Sequence, residues 1–97
     1  MILGKVIGTV WATRKDEKLE GLKFLIVQSL NLEGKLQRGF HVAVDSVGAG
    51  PEDMVLYASG SSARQTTLTE GRPCDAVIMA IVDSWDLGGD NVYEKWA

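Results

Sequence analysis

The chain has one cysteine, one histidine and two prolines in 97 residues, and its 10 lysines and arginines are outnumbered by 13 aspartates and glutamates. Each shortage excludes something. Cys74 alone closes no internal disulfide, so no covalent staple supports the fold. Entering an apolar strand after Pro73, it reads as a buried, unreactive thiol. His41 has no second histidine, and no cysteine or carboxylate stands at ligand spacing around it. It therefore reads as an ordinary surface or interface histidine rather than a metal ligand or general base. A net charge of −3 and a pI near 5.0 gather no polyanion, because phosphate binding draws on clustered lysine and arginine. The longest apolar run, near Ala76 to Val82, falls far short of the roughly 20 residues that span a bilayer. The opening residues lack the basic segment, apolar core and cleavage site of a secretory signal, so a reducing cytoplasm is the expected compartment.

What is present is patterned for β-structure. Residues 2 to 13 mix Val6, Ile7, Val10 and Trp11 with Lys5, Thr9 and Thr13 and read as a first strand. Leu22 to Leu30 is a second, apolar on both faces, and Phe40 to Val47 a third, where Val42 and Val44 alternate with His41, Ala43 and Asp45 and one face looks buried. Met54 to Ala58 and Ala76 to Val82 supply a fourth and a fifth. The expected fold is all-β: one domain over residues 1 to 97, a small five-stranded OB-like β-barrel with one short helix after the fourth strand. Strands apolar on both faces need a second cover, and another copy of the chain is the expected one.

Between the third and fourth strands lies Asp45-Ser46-Val47-Gly48-Ala49-Gly50-Pro51-Glu52-Asp53. Gly48 and Gly50 can visit positive φ and Pro51 fixes the exit direction, which predicts a tight hairpin-like reversal. The loop lacks the lysine of a phosphate cradle, and Glu52 and Asp53 would repel phosphate. Gly60-Ser61-Ser62-Ala63-Arg64 follows the fourth strand, where Ser61 or Ser62 is expected to cap a short helical turn. Arg64 is then either solvated or held in a bidentate contact within or across subunits. Asp86 to Asp90 reads as a flexible polar break, and the segment 91–97 after it, with Tyr93 and Trp96, docks on its own barrel or on a neighbour.

These two loop motifs, together with Leu3 to Thr13 at the start, Gly21 to Gln28, and Asp75 to Asp83, resemble the EutN/CcmL family, the pentameric vertex proteins of bacterial microcompartment shells. The resemblance runs from Met1 to about Gly88. It implies a cyclic homopentamer in a microcompartment shell within the cytoplasm, with hexameric shell proteins as partners, no enzymatic activity and no cofactor. It also implies that Gly48, Ala49 and Gly50 repeat around the five-fold axis, while Ser61, Ser62, Arg64, Tyr93 and Trp96 are candidates for corner and interface contacts. An OB-fold module for oligonucleotide or oligosaccharide is the alternative, with Trp11, Trp85 and Trp96 as stacking platforms; it needs a basic groove that the residues near them do not offer. A small enzyme would need a pocket with paired titratable groups.

Overall fold

Runs rich in β-branched and other apolar side chains make Ile2–Val10 the first strand, β1, and similar runs give β2 (Phe24–Leu30), β3 (Leu36–Asp45), β4 (Met54–Ser59) and β5 (Ala76–Ile81). The computed structural model, which describes residues 1–96, closes these five strands into a barrel in the order β1-β2-β3-β5-β4. Neighbours are antiparallel except β3 and β5, which run parallel where Val44 lies beside Val77 and Asp45 beside Ile78. Closure leaves the barrel no free edge for unwanted strand pairing. Ala97 lies outside the described residues, so the expectation for the segment 91–97 is followed only to Trp96.

The barrel interior is built from Val6, Leu25, Val27, Ala43, Val55, Tyr57, Ala76 and Ile78, with Ala49 packed among them from the loop after β3. Fully burying a side chain such as Leu25 or Ile78 contributes about 1.5 to 3 kcal/mol. Gly4 faces the same interior and leaves no room: a Cβ there would sit 2.5 Å from Val27 Cγ1 and 2.7 Å from Tyr57 Cε1. The inward face of β3 is His41, Ala43 and Asp45, and Val42 points outward, opposite to what the apolar alternation suggests. Asp45 tolerates burial because its carboxylate is hydrogen-bonded, and Val44, on the outer face, is covered by a second cluster.

That second cluster, Leu22, Val44, Ala58, Ala63, Cys74 and Val77, lies outside the barrel wall, with Ala63 and Cys74 supplied by the connection between β4 and β5. In this sector the chain covers its own strands, where the sequence pattern suggested a second copy. The short helical turn expected after the fourth strand is a 3-10 turn at Gly60–Arg64.

Two strands were not anticipated: β6 (Ser84–Leu87) and β7 (Asp90–Glu94) pair as a separate hairpin. Gly88 and Gly89, at φ 58° and 89°, form the turn where a flexible break was expected. Two positive φ values in succession match the twist of paired strands, which is why Gly-Gly serves there. The reversal expected between β3 and β4 is also different. These strands are not neighbours, and the segment between them crosses to β1, where Val6 exchanges backbone hydrogen bonds with Glu52 and Asp53 at 3.0 and 2.9 Å.

Candidate functional site

The loop after β3 is organised by one carboxylate. Asp45 Oδ1 accepts hydrogen bonds from the backbone N–H groups of Val47, Gly48 and Ala49, each at 3.1 Å, while Lys23 Nζ lies 3.8 Å from its other oxygen and donates to the Ala49 carbonyl at 3.2 Å. Gly48 takes φ 79°, which a side chain would resist, and no atom lies within 4 Å of where a Cβ would stand. Asp53 Oδ2 accepts from the Gly50 N–H at 2.8 Å, and Lys95 Nζ lies 3.6 Å from its other oxygen. Lys23 and Lys95 escape sequence reasoning because they are remote in the chain from the loop they hold, while Asp53, within the motif, anchors Gly50 from three residues away.

Three adjacent small residues therefore have different situations. Ala49 is buried in the barrel of its own subunit, Gly48 is exposed, and Gly50 is half-buried. A bulky residue at Ala49 would disrupt the barrel itself, so the side chain there is not the part offered to a neighbour.

The second loop begins at Gly60, φ 68°, whose N–H donates to the Asp75 carbonyl at 2.8 Å. Ser61 and Ser62 are exposed and make no side-chain hydrogen bond among the described residues, so the turn is set by Gly60 and by the burial of Ala63 rather than by a serine cap. Arg64 Nη1 donates to the Cys74 carbonyl at 3.1 Å, its one side-chain hydrogen bond among the described residues. Thr66 and Thr69 brace the descending chain through hydroxyls 2.6 Å apart. Cys74 is buried against Ala63.

At the far end, Trp85 Nε1 donates to the Leu32 carbonyl at 2.8 Å and docks the β6–β7 hairpin on the β2–β3 turn, while Tyr93 packs on Trp85 within the hairpin, the two rings 5.2 Å apart. Trp96 stays exposed, with Lys95 Nζ 5.1 Å from its ring centre. His41 is half-buried, and its Nδ1 is 3.2 Å from the hydroxyl of Tyr57, a wholly buried side chain. Burial pushes the Tyr57 hydroxyl above the usual tyrosine range.

The side-chain contacts around both loops hold backbone groups in place. Among the described residues no group of three or more His, Cys, Asp or Glu side chains is placed to hold a metal ion, and no helix is long and apolar enough to cross a membrane. The grooves are open and mostly apolar: the larger, about 570 Å³, lies between Met1, Leu3, Leu32 and Leu56, and a smaller one beside Trp11 and Phe24.

A family model whose description reads "Ethanolamine utilisation protein EutN/carboxysome" matches residues 1–83. The carboxysome shell vertex protein CcmL of Synechococcus elongatus is 42% identical over 95 residues, covering 98% of this chain and 96% of that one. The structure of Gloeobacter violaceus CcmL superposes with a TM-score of 0.95 at 38% identity, covering all of both chains. GrpN of Rhodospirillum rubrum, a pentameric microcompartment shell protein, superposes with a TM-score of 0.82 at 42% identity, covering 90% of this chain and 99% of that one.

Proposed function

Because the chain belongs to the EutN/CcmL family, we propose that it is a structural shell protein, a homopentamer that caps the vertices of a bacterial microcompartment. The observation that carries this reading is the near full-length likeness to vertex proteins, 42% identity over 98% of the chain in one case. The local geometry agrees with it: the side chains around both glycine loops bind backbone groups of their own subunit rather than converging on a reactive centre.

The mechanism is geometric. Hexagonal tiles lie flat, and a closed icosahedral surface needs five-fold positions; a ring of five wedge-shaped subunits fills one and introduces curvature. Such a ring uses heterologous contacts, one face of each subunit meeting a different face of the next, that close after five copies. The partners are then further copies of the chain and hexameric shell proteins at the ring's periphery. Neither catalysis, nor nucleic acid, nor a membrane enters this role; the net charge of −3 also disfavours a polyanion. The loop around Gly48 is the part of the motif we assign to the five-fold axis, since its exposed backbone has space for a close approach.

Deleting the gene in its host tests the role. Elongated or unclosed shells, with the enclosed enzymes individually active, are the expected result. Normal closed shells in a strain without a second vertex protein would overturn it.

A further inference from the structure

The turn that ends the glycine loop holds a strained residue. Asp53 donates its backbone N–H to the Gly50 carbonyl at 3.2 Å, and between them stand Pro51 and then Glu52, at φ 72°. Proline suits the second position of such a turn, but the third needs a positive φ and ordinarily takes glycine or asparagine. Among the described residues Glu52 is the one residue other than glycine with a positive φ. A backbone held there persists only where its surroundings over-determine it. On one side β1 does so: Val6 exchanges backbone hydrogen bonds with Glu52 and Asp53, and Lys5 Nζ pairs with the exposed Glu52 carboxylate at 2.9 Å. A further hold comes from the far end of the chain. Asp53 Oδ2 accepts from the Gly50 N–H at 2.8 Å while its Oδ1 faces Lys95 Nζ at 3.6 Å. This is the only ion pair among the described residues in which both side chains are mostly shielded, at 26% and 22% exposure. With the Asp53 backbone fixed on β1, the amide and the cation together set the side-chain torsions that aim its carboxylate at Gly50.

Lys95 reaches this place because the β6–β7 hairpin returns to where it began. The Val82 N–H donates to the Met54 carbonyl and the Lys95 N–H to the Asp83 carbonyl, both at 2.8 Å, so residue 95 is set down beside the residue that precedes Met54. The hairpin pairs with no strand of the barrel, and it begins where the family match ends, at residue 83. We propose that Lys95 is a positioning residue for the glycine loop: through Asp53 it holds the Gly50 amide and the strained Glu52 turn in the conformation that assembly uses. The hairpin is then a strap laid over the common barrel, with Trp85 fastened at the Leu32 carbonyl and Lys95 at Asp53. The proposal rests on the ring reading above and deepens it, since it names what within one subunit keeps the loop ready for its place in the ring. A loop ordered before association loses less conformational entropy on assembly than one that must be ordered by it.

Hydrogen exchange at the Gly50 amide, followed by NMR on the full chain at one fixed concentration, reads the loop, and native mass spectrometry across a dilution series reads the ring. Lys95→Met keeps the length of the side chain and removes its charge. It is expected to speed Gly50 exchange about fivefold while leaving β4 amides such as that of Tyr57 unchanged, which a general loss of stability would not do. Lys95→Arg, which keeps the cation, is expected to restore the wild-type rate. Asp53→Ala is expected to speed Gly50 exchange more than Lys95→Met does, and adding Lys95→Met to it is expected to change nothing further, because the lysine acts through that carboxylate. Lys95→Met is also expected to raise the concentration for half-assembly about fivefold, and Lys95→Arg to reverse this. Unchanged Gly50 exchange in Lys95→Met, no rescue by arginine, or additive effects in the double variant would overturn the positioning role, whatever the ring size. A loosened loop with undiminished assembly would overturn its link to assembly and leave the pentamer standing. A wild-type monomer would overturn the ring reading itself, while the exchange rates still decide the role of Lys95.

Discussion

Replacing Asp45 by alanine removes the acceptor that organises the loop between β3 and β4. Three backbone N–H groups lose a charged partner at 3.1 Å, and Lys23 loses its ion pair. The three amides are not equivalent. Val47 and Gly48 are exposed and find water, so each costs about the net value of a hydrogen bond, near 1 kcal/mol. Ala49 is buried in the barrel, and leaving its N–H without an acceptor costs about 1 to 3 kcal/mol. The exposed Lys23 contributes little in water. We therefore expect Asp45→Ala to destabilise the subunit by about 3 to 5 kcal/mol, which for a chain of this size lowers the melting temperature by on the order of 20 °C. Asp45→Asn keeps an acceptor without the charge, and since neutral hydrogen bonds are roughly half as strong, about half that loss is expected. Thermal melts at one fixed protein concentration read both values, and hydrogen exchange at Val47, Gly48 and Ala49 reads the loop directly. A melting temperature for Asp45→Ala within about 2 °C of the wild type, with those amides still protected, would refute the reasoning.

Gly4→Ala should cost about 3 kcal/mol or more, because the added methyl meets Val27 and Tyr57 inside the closed barrel; soluble protein with an unchanged melt would contradict the packing described. Tyr57→Phe should cost about 1 kcal/mol at neutral pH through loss of the His41 contact, as measured by denaturant unfolding. Because the folded-state pKa of Tyr57 is raised, its contribution is fully present below about pH 10, the unfolded value, and is lost as pH climbs through the folded value; the phenylalanine variant should lack that alkaline loss. Arg64→Ala should lower stability by about 1 kcal/mol through the Cys74 carbonyl, and an unchanged melt would mark Arg64 as merely solvated.

The five barrel strands could be read from local pattern because β-branched runs and glycine punctuation act over a few residues. The neighbours of each strand could not. Whether Gly48 to Pro51 returns β3 onto β4 or carries the chain to β1 depends on where β5 inserts, and nothing within the loop encodes that. The inward face of β3 was misleading for a related reason: Asp45 looks solvent-bound until Lys23 and three amides from its own loop surround it. Gly88-Gly89 carried a turn signal, but Asp86 and Asp90 beside it resemble a polar break as much as the ends of a hairpin. Tyr57, placed in an apolar run, gave no hint of His41, which reaches it from another strand. The resemblance to the family located both loops, while the partners that hold them became visible only once the barrel was closed.

The central claim is that this chain acts as a ring of five, and the mass of the intact assembly under native conditions tests it most directly. At micromolar concentration a single dominant species with five times the 10.5 kDa mass of the chain is expected. A monomer, or a ring of another number, would contradict it.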